Sequence, residues 1–506
     1  MSLLLMWKQQ LLMNNFKYFS LTGSGSLLLP GSIKGKFKEL TLSGTSVQGE
    51  NPEPDNPQEI KSAGRKSRNL LIENISVFTV QDNIAYIPLP EGHETKQYTM
   101  LIQKKPGEND DVGFTCGFYD KSNMAVNYAV PCLQAGNLVT GNGIVNSKIG
   151  VNHFVCFSPA DSRFFDIYNV MYVEGKETTL DYEPYGYFFD LKITGKNLLS
   201  NKSADWQIGK QTSWSGYPDY PVDVNVPGIS HALFFMNVKP STKYTFVNKE
   251  NDKLWVNRII EREGKKGIQN HALYQNESQN YNKYTFITKD RTTSIISQIK
   301  KADGTELLSS DIESNKIMLV EGEANEQTPY EPHTEQSVQI ALNEPLRGIG
   351  EYKDTITKDG AVRKIKRIVL DGSEGWWLHK EKETTISFYT NSFKFLFPTH
   401  NTMFVDKFSY AISGMNKEDI SWSVYGNNFF ININKSDAPN LVDFKEWLSK
   451  NPVTVEYIAK EPITEPLPES VQQQLQTLHS ENGTTHVFVD SGEVEAGIKL
   501  TYRKEI

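Results

Sequence analysis

Two phrases of this chain repeat, and the repetition limits the folds open to it. "MYVEGKETTLDYEP" (Met171–Pro184) returns as "MLVEGEANEQTPYEP" (Met318–Pro332), with one residue more between Met-x-Val-Glu-Gly and Tyr-Glu-Pro. Upstream of each copy stands an Asn-Leu-Leu, at Asn69 and again at Asn197. A chain that opens and closes twice in the same words reads as two copies of one module. At 506 residues it is also too long for a single hydrophobic core.

Between each opening and closing, short β-branched or aromatic runs alternate with turn signals. "NIAYIPL", "HFVCFSP", "HALFFMNV", "TKYTFVN" and "TSIISQI" are separated by "KPGENDD", "GNG" and "KADG". Closely spaced strands of this kind predict an all-β chain of tandem antiparallel β-sandwich or jelly-roll modules. No amphipathic helix of 10–15 residues falls between them, which excludes βαβ units. Pro184 and Pro332 force extended geometry on the residue before them, so each Tyr-Glu-Pro reads as an exit linker.

The flanking segments complete the organisation. Residues 1–66 read as an N-terminal attachment segment that ends in a stiff, solvated Pro-rich linker, "ENPEPDNPQEIKSAG" (Glu50–Gly64). The two modules occupy 67–190 and 191–335, and 336–364 forms a β connecting segment in which Val338, Ile340 and Leu342 alternate with polar residues. Residues 365–462 read as a third β-sandwich with one helix. Leu441, Phe444 and Leu448 share a face of that helix, Ser436 and Asp437 signal its start, and Pro452 stops it. Residues 463–506 carry a short helix and a β-hairpin element. The stretch Met1–Leu12 reads either as a short helical stub of the protein or as a start-site addition before Met13, and no small-residue cleavage site follows it.

Composition narrows function mainly by exclusion. The net charge is −8 with no long basic block, which argues against nucleic acid as partner. No run of about 18 apolar residues points to a membrane span. Cys116, Cys132 and Cys156 form no Cys-x-x-Cys and read as buried free thiols. No nucleophile elbow, phosphate loop or His-Glu-x-x-His is present, so no catalytic residues are assigned and an enzyme is not expected.

Several phrases together carry a family resemblance. "GTSVQGENPEPDNPQEIKSAG", the Asn-Leu-Leu openings, the "VEG…YEP" closings, "LNEPLRGIGEYKDTI" and "FKEWLSKNPVTVEYIAKEPITEPL" resemble tail and baseplate structural proteins of phages and prophages of Gram-positive bacteria. The resemblance runs from about Phe16 to the C-terminus, and the repeated units are similar to carbohydrate-binding-module-like jelly rolls. It implies a virion protein of the tail, assembled in the bacterial cytoplasm. Its partners would be other tail or baseplate subunits and further copies of itself, often as a trimer. Host cell-wall glycan is the expected external partner. A purely structural scaffold and a tail-associated glycan hydrolase are the competing readings.

Glycan binding would fall to exposed aromatics, since flat rings stack on the apolar faces of sugars. Trp206, Trp214, Tyr217 and Tyr220 lie in the loop-like "ADWQIGKQTSWSGYPDYP", although Trp206 also suits a core position. Trp376 and Trp377 are adjacent, so on a strand one would be buried and the other exposed. No cofactor is written in the sequence. Asp110 and Asp111 in "GENDDVG" leave room for a structural calcium ion, with a solvated turn as the plainer reading.

Overall fold

The computed structural model describes residues 16–503 except 23–25, 33–34, 72–78, 82–83, 89–97, 106–113, 121–124, 134–152, 158–167, 176–181, 212–223, 226–229, 250–253, 264–265, 273–282, 326, 397–398, 412–419 and 482. The fold is all-β with antiparallel sheets, and three short helices stand among the described residues: Ser309–Glu313, Leu441–Lys450 and Glu469–Thr477. The chain divides into two compact units. One comprises residues 64–189 with 340–345, and the other residues 1–63, 190–339 and 346–506.

The smaller unit holds the first copy of the repeat. Its five-stranded sheet runs in space as Thr79–Gln81, Ile84–Pro88, His153–Phe157, Phe114–Asp120 and Ala125–Leu133. Numbered along the chain, that order is first, second, fifth, third, fourth. A second sheet pairs Tyr98–Lys104 with the closing strand Tyr168–Glu174. In the larger unit the second copy repeats the plan. Trp206–Ile208, His231–Asn237, Ser294–Lys301, Leu254–Glu263 and Lys266–Ala272 lie side by side, again first, second, fifth, third, fourth. Its opposing sheet pairs Lys243–Asn248 with the closing strand Ile317–Glu321 and adds Lys283–Ile287. Between the two sheets lies a core of Trp206, Phe234, Tyr244, Phe246, Ile259, Ile295 and Leu319, among others.

The repeated words turn out to be two halves of one clasp. Asn197 is buried; its Oδ1 accepts from the amides of Leu199 and Leu319 at 3.0 and 3.2 Å, and its Nδ2 donates to the Ile317 carbonyl at 3.4 Å. The opening motif thereby grips the closing strand. Met318 Sδ then accepts from the Glu331 amide at 3.2 Å, and Tyr330 packs against Met318 and Val320. The first copy repeats these contacts. Asn69 Oδ1 takes the Leu71 amide at 2.9 Å, Met171 Sδ takes the Glu183 amide at 3.3 Å, and Tyr182 packs on Met171 and Val173. Gly175 and Gly322 carry φ of +103° and +89°, a turn conformation that glycine reaches without steric cost. The Tyr-Glu-Pro segment is therefore not a free linker. It returns to its own module, where Glu183 pairs with Arg65 and Glu331 with Lys196.

Replacing Asn197 by alanine would leave two buried amides and one buried carbonyl without this partner. The expected loss is about 2–4 kcal/mol, because an unmet buried group costs about 1–3 kcal/mol. Faster hydrogen exchange at the Leu199 and Leu319 amides would report it, and unchanged exchange at both would sink the clasp.

The remaining segments of the larger unit interlock. One sheet runs Phe16–Thr22, Gly497–Arg503, Gly35–Ser43, Thr355–Thr357, Gly360–Leu370, Val453–Glu465 and Met403–Val405, with His479–Ser480 attached to Gly35–Ser43. The expected divisions at 66, 364 and 462 do not separate domains here, because N-terminal, connecting and C-terminal strands are neighbours in this sheet. Nor do the last two strands form a hairpin. Gly483–Asp490 pairs with Ser26–Ser32 and with residues 190–194, whereas Gly497–Arg503 pairs with Phe16–Thr22 and Gly35–Ser43. The turn between them is closed by Ser491, whose Oγ accepts from Ala496 N at 2.9 Å and donates to the Val494 carbonyl at 3.0 Å. The Pro-rich stretch is solvated as expected, with most of residues 50–59 exposed, but it is a loop fastened at its ends rather than a linker. Ser46–Gln48 pairs with Ile60–Ser62, and Ser409 Oγ donates to the Pro52 carbonyl at 3.1 Å.

A buried polar cluster ties these segments together. Glu456 is fully buried; it receives Arg347 Nε at 3.1 Å and Ser46 Oγ at 3.0 Å. Asp354, also fully buried, accepts from the amides of Arg347, Lys364 and Ile365 at 3.0, 2.7 and 2.9 Å. Burial pushes both carboxyls upward, and the Arg347 guanidinium opposes that on Glu456.

The third sandwich sets a four-stranded sheet, Trp377–Glu381, Thr385–Thr390, Asn428–Asn434 and Ser421–Tyr425, over helix Leu441–Lys450. The helix starts later than Ser436 and Asp437 suggest. Pro439 disfavours helical geometry in the residue before it, so Asn440 becomes the cap and accepts from Val442 N and Asp443 N at 2.9 and 3.1 Å. Phe444 and Leu448 point into a core with Phe388, Phe429 and Trp422.

Candidate functional site

The Trp376–Trp377 doublet divides into one buried and one exposed ring, as expected, although only Trp377 lies on a strand. Trp376 is buried, edge-on to Phe444 at 5.0 Å, and its Nε1 donates to Glu374 Oε2 at 3.0 Å. It offers no ring face to a sugar, so its candidacy is withdrawn. Trp377 opens the edge strand Trp377–Glu381 and remains 43% exposed.

Cross-strand register builds a row behind it. Trp377 faces Tyr389, and Tyr389 faces Phe430, on three adjacent strands. The Trp377 ring stacks on Tyr389 with centroids 5.4 Å apart and 28° between planes. Tyr389 in turn lies 5.6 Å from Phe430, and the His379 ring stands edge-on to Phe430 at 5.0 Å. A Cβ at Gly375 would meet the Trp377 ring at 3.1 Å, so the missing side chain leaves room for the indole. The next rung on the same face is polar. Ser387 pairs with Asn432, which donates to Ser421 Oγ at 3.3 Å, and the buried Ser387 hydroxyl has no hydrogen-bond partner. That rung is buried, so what the face offers a ligand is the exposed indole held flat by the ring beneath it, which can stack on the apolar face of a sugar ring.

The other sequence candidates fall differently. Trp206 is 6% exposed; it packs on Phe234 at 5.0 Å and donates to the Ser200 carbonyl at 2.8 Å. Its indole belongs to the core, which corrects its reading as a sugar contact. Trp214, Tyr217, Tyr220, Asp110 and Asp111 lie outside the described residues, as do residues 1–12 and the side chains of Cys116, Cys132 and Cys156. Sequence reasoning missed Tyr389, Phe430 and His379. The alternation in "ISFYT" and "NFFININ", one ring inward and the next outward, was the available signal.

A second polar constellation lies in the larger unit. A cavity of about 440 Å³ opens beside the second sandwich, with His333, Glu335, Lys192 and His486 in its wall. Glu335 sits 3.1 Å from Lys192 Nζ and 3.5 Å from His333 Nε2. The His333 imidazole, with Lys192, outweighs burial and holds the Glu335 carboxyl down at about 2. Among the described residues no group of three or more His, Cys, Asp or Glu is placed to hold a metal ion. No helix there is long and apolar enough to cross a membrane.

No protein-family model matches the sequence, and no curated protein matches it. Similar solved structures include T=1 particles derived from infectious bursal virus, at 8% identity over 97% of this chain and 79% of that one, with a TM-score of 0.10. Another is the VP2 subviral particle of infectious bursal disease virus, at 9% identity over 97% of this chain and 80% of that one, with a TM-score of 0.09. At such scores the likeness carries no argument about fold or function.

Proposed function

We propose that the chain is a non-enzymatic structural protein of a phage virion, set in the tail tip or baseplate, whose third sandwich contacts host cell-wall glycan. The single observation that carries the glycan contact is Trp377, exposed at the sheet edge and stacked on Tyr389. The tail setting rests on the quoted phrases and on the twice-built sandwich. Among the described residues Trp377–Glu381 is an edge strand, which also suits assembly, since exposed edges are normally covered in oligomers.

Cell walls from a panel of Gram-positive bacteria, sedimented with the full-length protein, test the reading. Trp377→Ala should bind on the order of tenfold more weakly, about 1.4 kcal/mol, with the fold unchanged by circular dichroism. If the wild-type protein binds no wall saturably, the glycan contact is wrong and the sheet face serves packing alone.

A further inference from the structure

From the cavity beside the second sandwich we infer a second binding site, separate from the Trp377 row, that takes a small neutral polyhydroxylated ligand of mono- or disaccharide size. Its volume, about 440 Å³, lies within the range of small-molecule pockets, roughly 300–1,000 Å³. Half of the wall is apolar. The part-exposed Phe235 and Phe488 give the wall ring surface for the C–H faces of a sugar.

The other half is polar and already neutralised. Two cations, Lys192 and Arg262, stand in the wall against two carboxylates, Asp205 and Glu335. Lys192 is paired with Glu335, and Asp205 accepts the hydroxyl of Ser200. A charged ligand would have to break such pairs, whereas hydroxyl groups can join them. His333 is already engaged, its Nδ1 meeting the Asn197 carbonyl at 2.8 Å and its Nε2 facing Glu335 at 3.5 Å. One buried imidazole stands ready: His486 is 2% exposed, and its Nδ1, 3.6 Å from Glu321 Oε2, has no hydrogen-bond partner. Buried polar atoms are rarely left unmet, so this one in the cavity wall points to something that meets it. Burial holds the His486 imidazole down at about 4, which keeps it neutral at physiological pH.

These residues come from four separate parts of the chain: the strand before the second module, the module itself, its closing segment, and the Gly483–Asp490 strand. The site therefore needs the full chain. Asn237, exposed on the wall, is a position where a bulky side chain would block entry without touching the core.

Saturation-transfer NMR on the full-length protein, with glucose, galactose, rhamnose and N-acetylglucosamine as separate probes, tests the site. At least one sugar should give a saturable signal that falls at least fivefold in Asn237→Trp and in His486→Gln, and persists in Trp377→Ala. The Asn237→Trp variant guards against a folding defect in His486→Gln. Signal from none of the four sugars would overturn the inference, as would signal lost only in Trp377→Ala, which would return all sugar binding to the third sandwich. Binding of inorganic phosphate alone would overturn the neutral-ligand assignment.

Discussion

Arg347→Ala is expected to destabilise the larger unit by about 3–5 kcal/mol, the usual effect of stripping one partner from a buried ion pair. The side chain is 5% exposed and meets a fully buried Glu456, so its loss would leave that carboxylate with Ser46 and the more distant Arg367 at 3.7 Å. Glu456, already pushed up by burial, would then take a proton at higher pH. The effect should reach three regions at once, because Ser46 lies in the N-terminal segment, Arg347 in the connecting segment and Glu456 in the third sandwich strand Val453–Glu465. Chemical denaturation with hydrogen exchange read at residues 40–46, 347–356 and 455–458 would show it. The double variant Arg347→Met with Glu456→Leu should recover much of the loss, since an apolar pair of similar volume replaces the charges. Protection lost in only one of the three regions would show that the cluster does not join them.

The second large effect depends on pH. Burial, helped by Lys239 and opposed by Glu321, lowers the His486 pKa from 6.5 to about 4. An unfolded chain takes that proton near 6.5, and the folded chain refuses it until about 4. Between those values the unfolded state binds more protons, so stability falls as pH drops from 6.5 to 4 and levels off below. The loss is on the order of 3 kcal/mol. Glu335 works in a lower window. Its folded pKa is depressed to about 2, so its contribution is whole above the ordinary 4.5 and disappears as pH falls toward 2. Urea midpoints measured at pH 7.5, 6, 5 and 4 should slope in the wild type and flatten in His486→Phe or His486→Gln. A slope that persists in both variants would assign it to another group.

What could be read from the sequence divides along physical lines. Strand content and the repeated module were legible because their signals are local: β-branched runs, turn residues, and a phrase written twice. The clasp was visible as words but not as contact, since Asn197 meets Leu319 only after the sheet has formed. The joined termini were not legible at all. Phe16 pairs with Arg503, and nothing in either segment names its partner across the length of the chain. The candidate site was half legible. The Trp-Trp doublet announced one exposed ring, but Tyr389 and Phe430 reach it through register alone. Trp206 misled because its neighbours are polar, while its indole turns inward to Phe234. The cavity left no trace, as His333, Glu335 and His486 converge from distant segments.

The clasp has a genetic consequence. In each module the chain enters and leaves at one point: Ser67 N donates to the Gly186 carbonyl at 2.8 Å, and Gly195 N to the Thr334 carbonyl at 3.2 Å. A segment whose two ends already touch behaves as a cassette. It can be gained, lost or exchanged by recombination while the host chain closes over a gap no wider than a hydrogen bond. Such a cassette could change while the interlocked strands that carry it stay as they are.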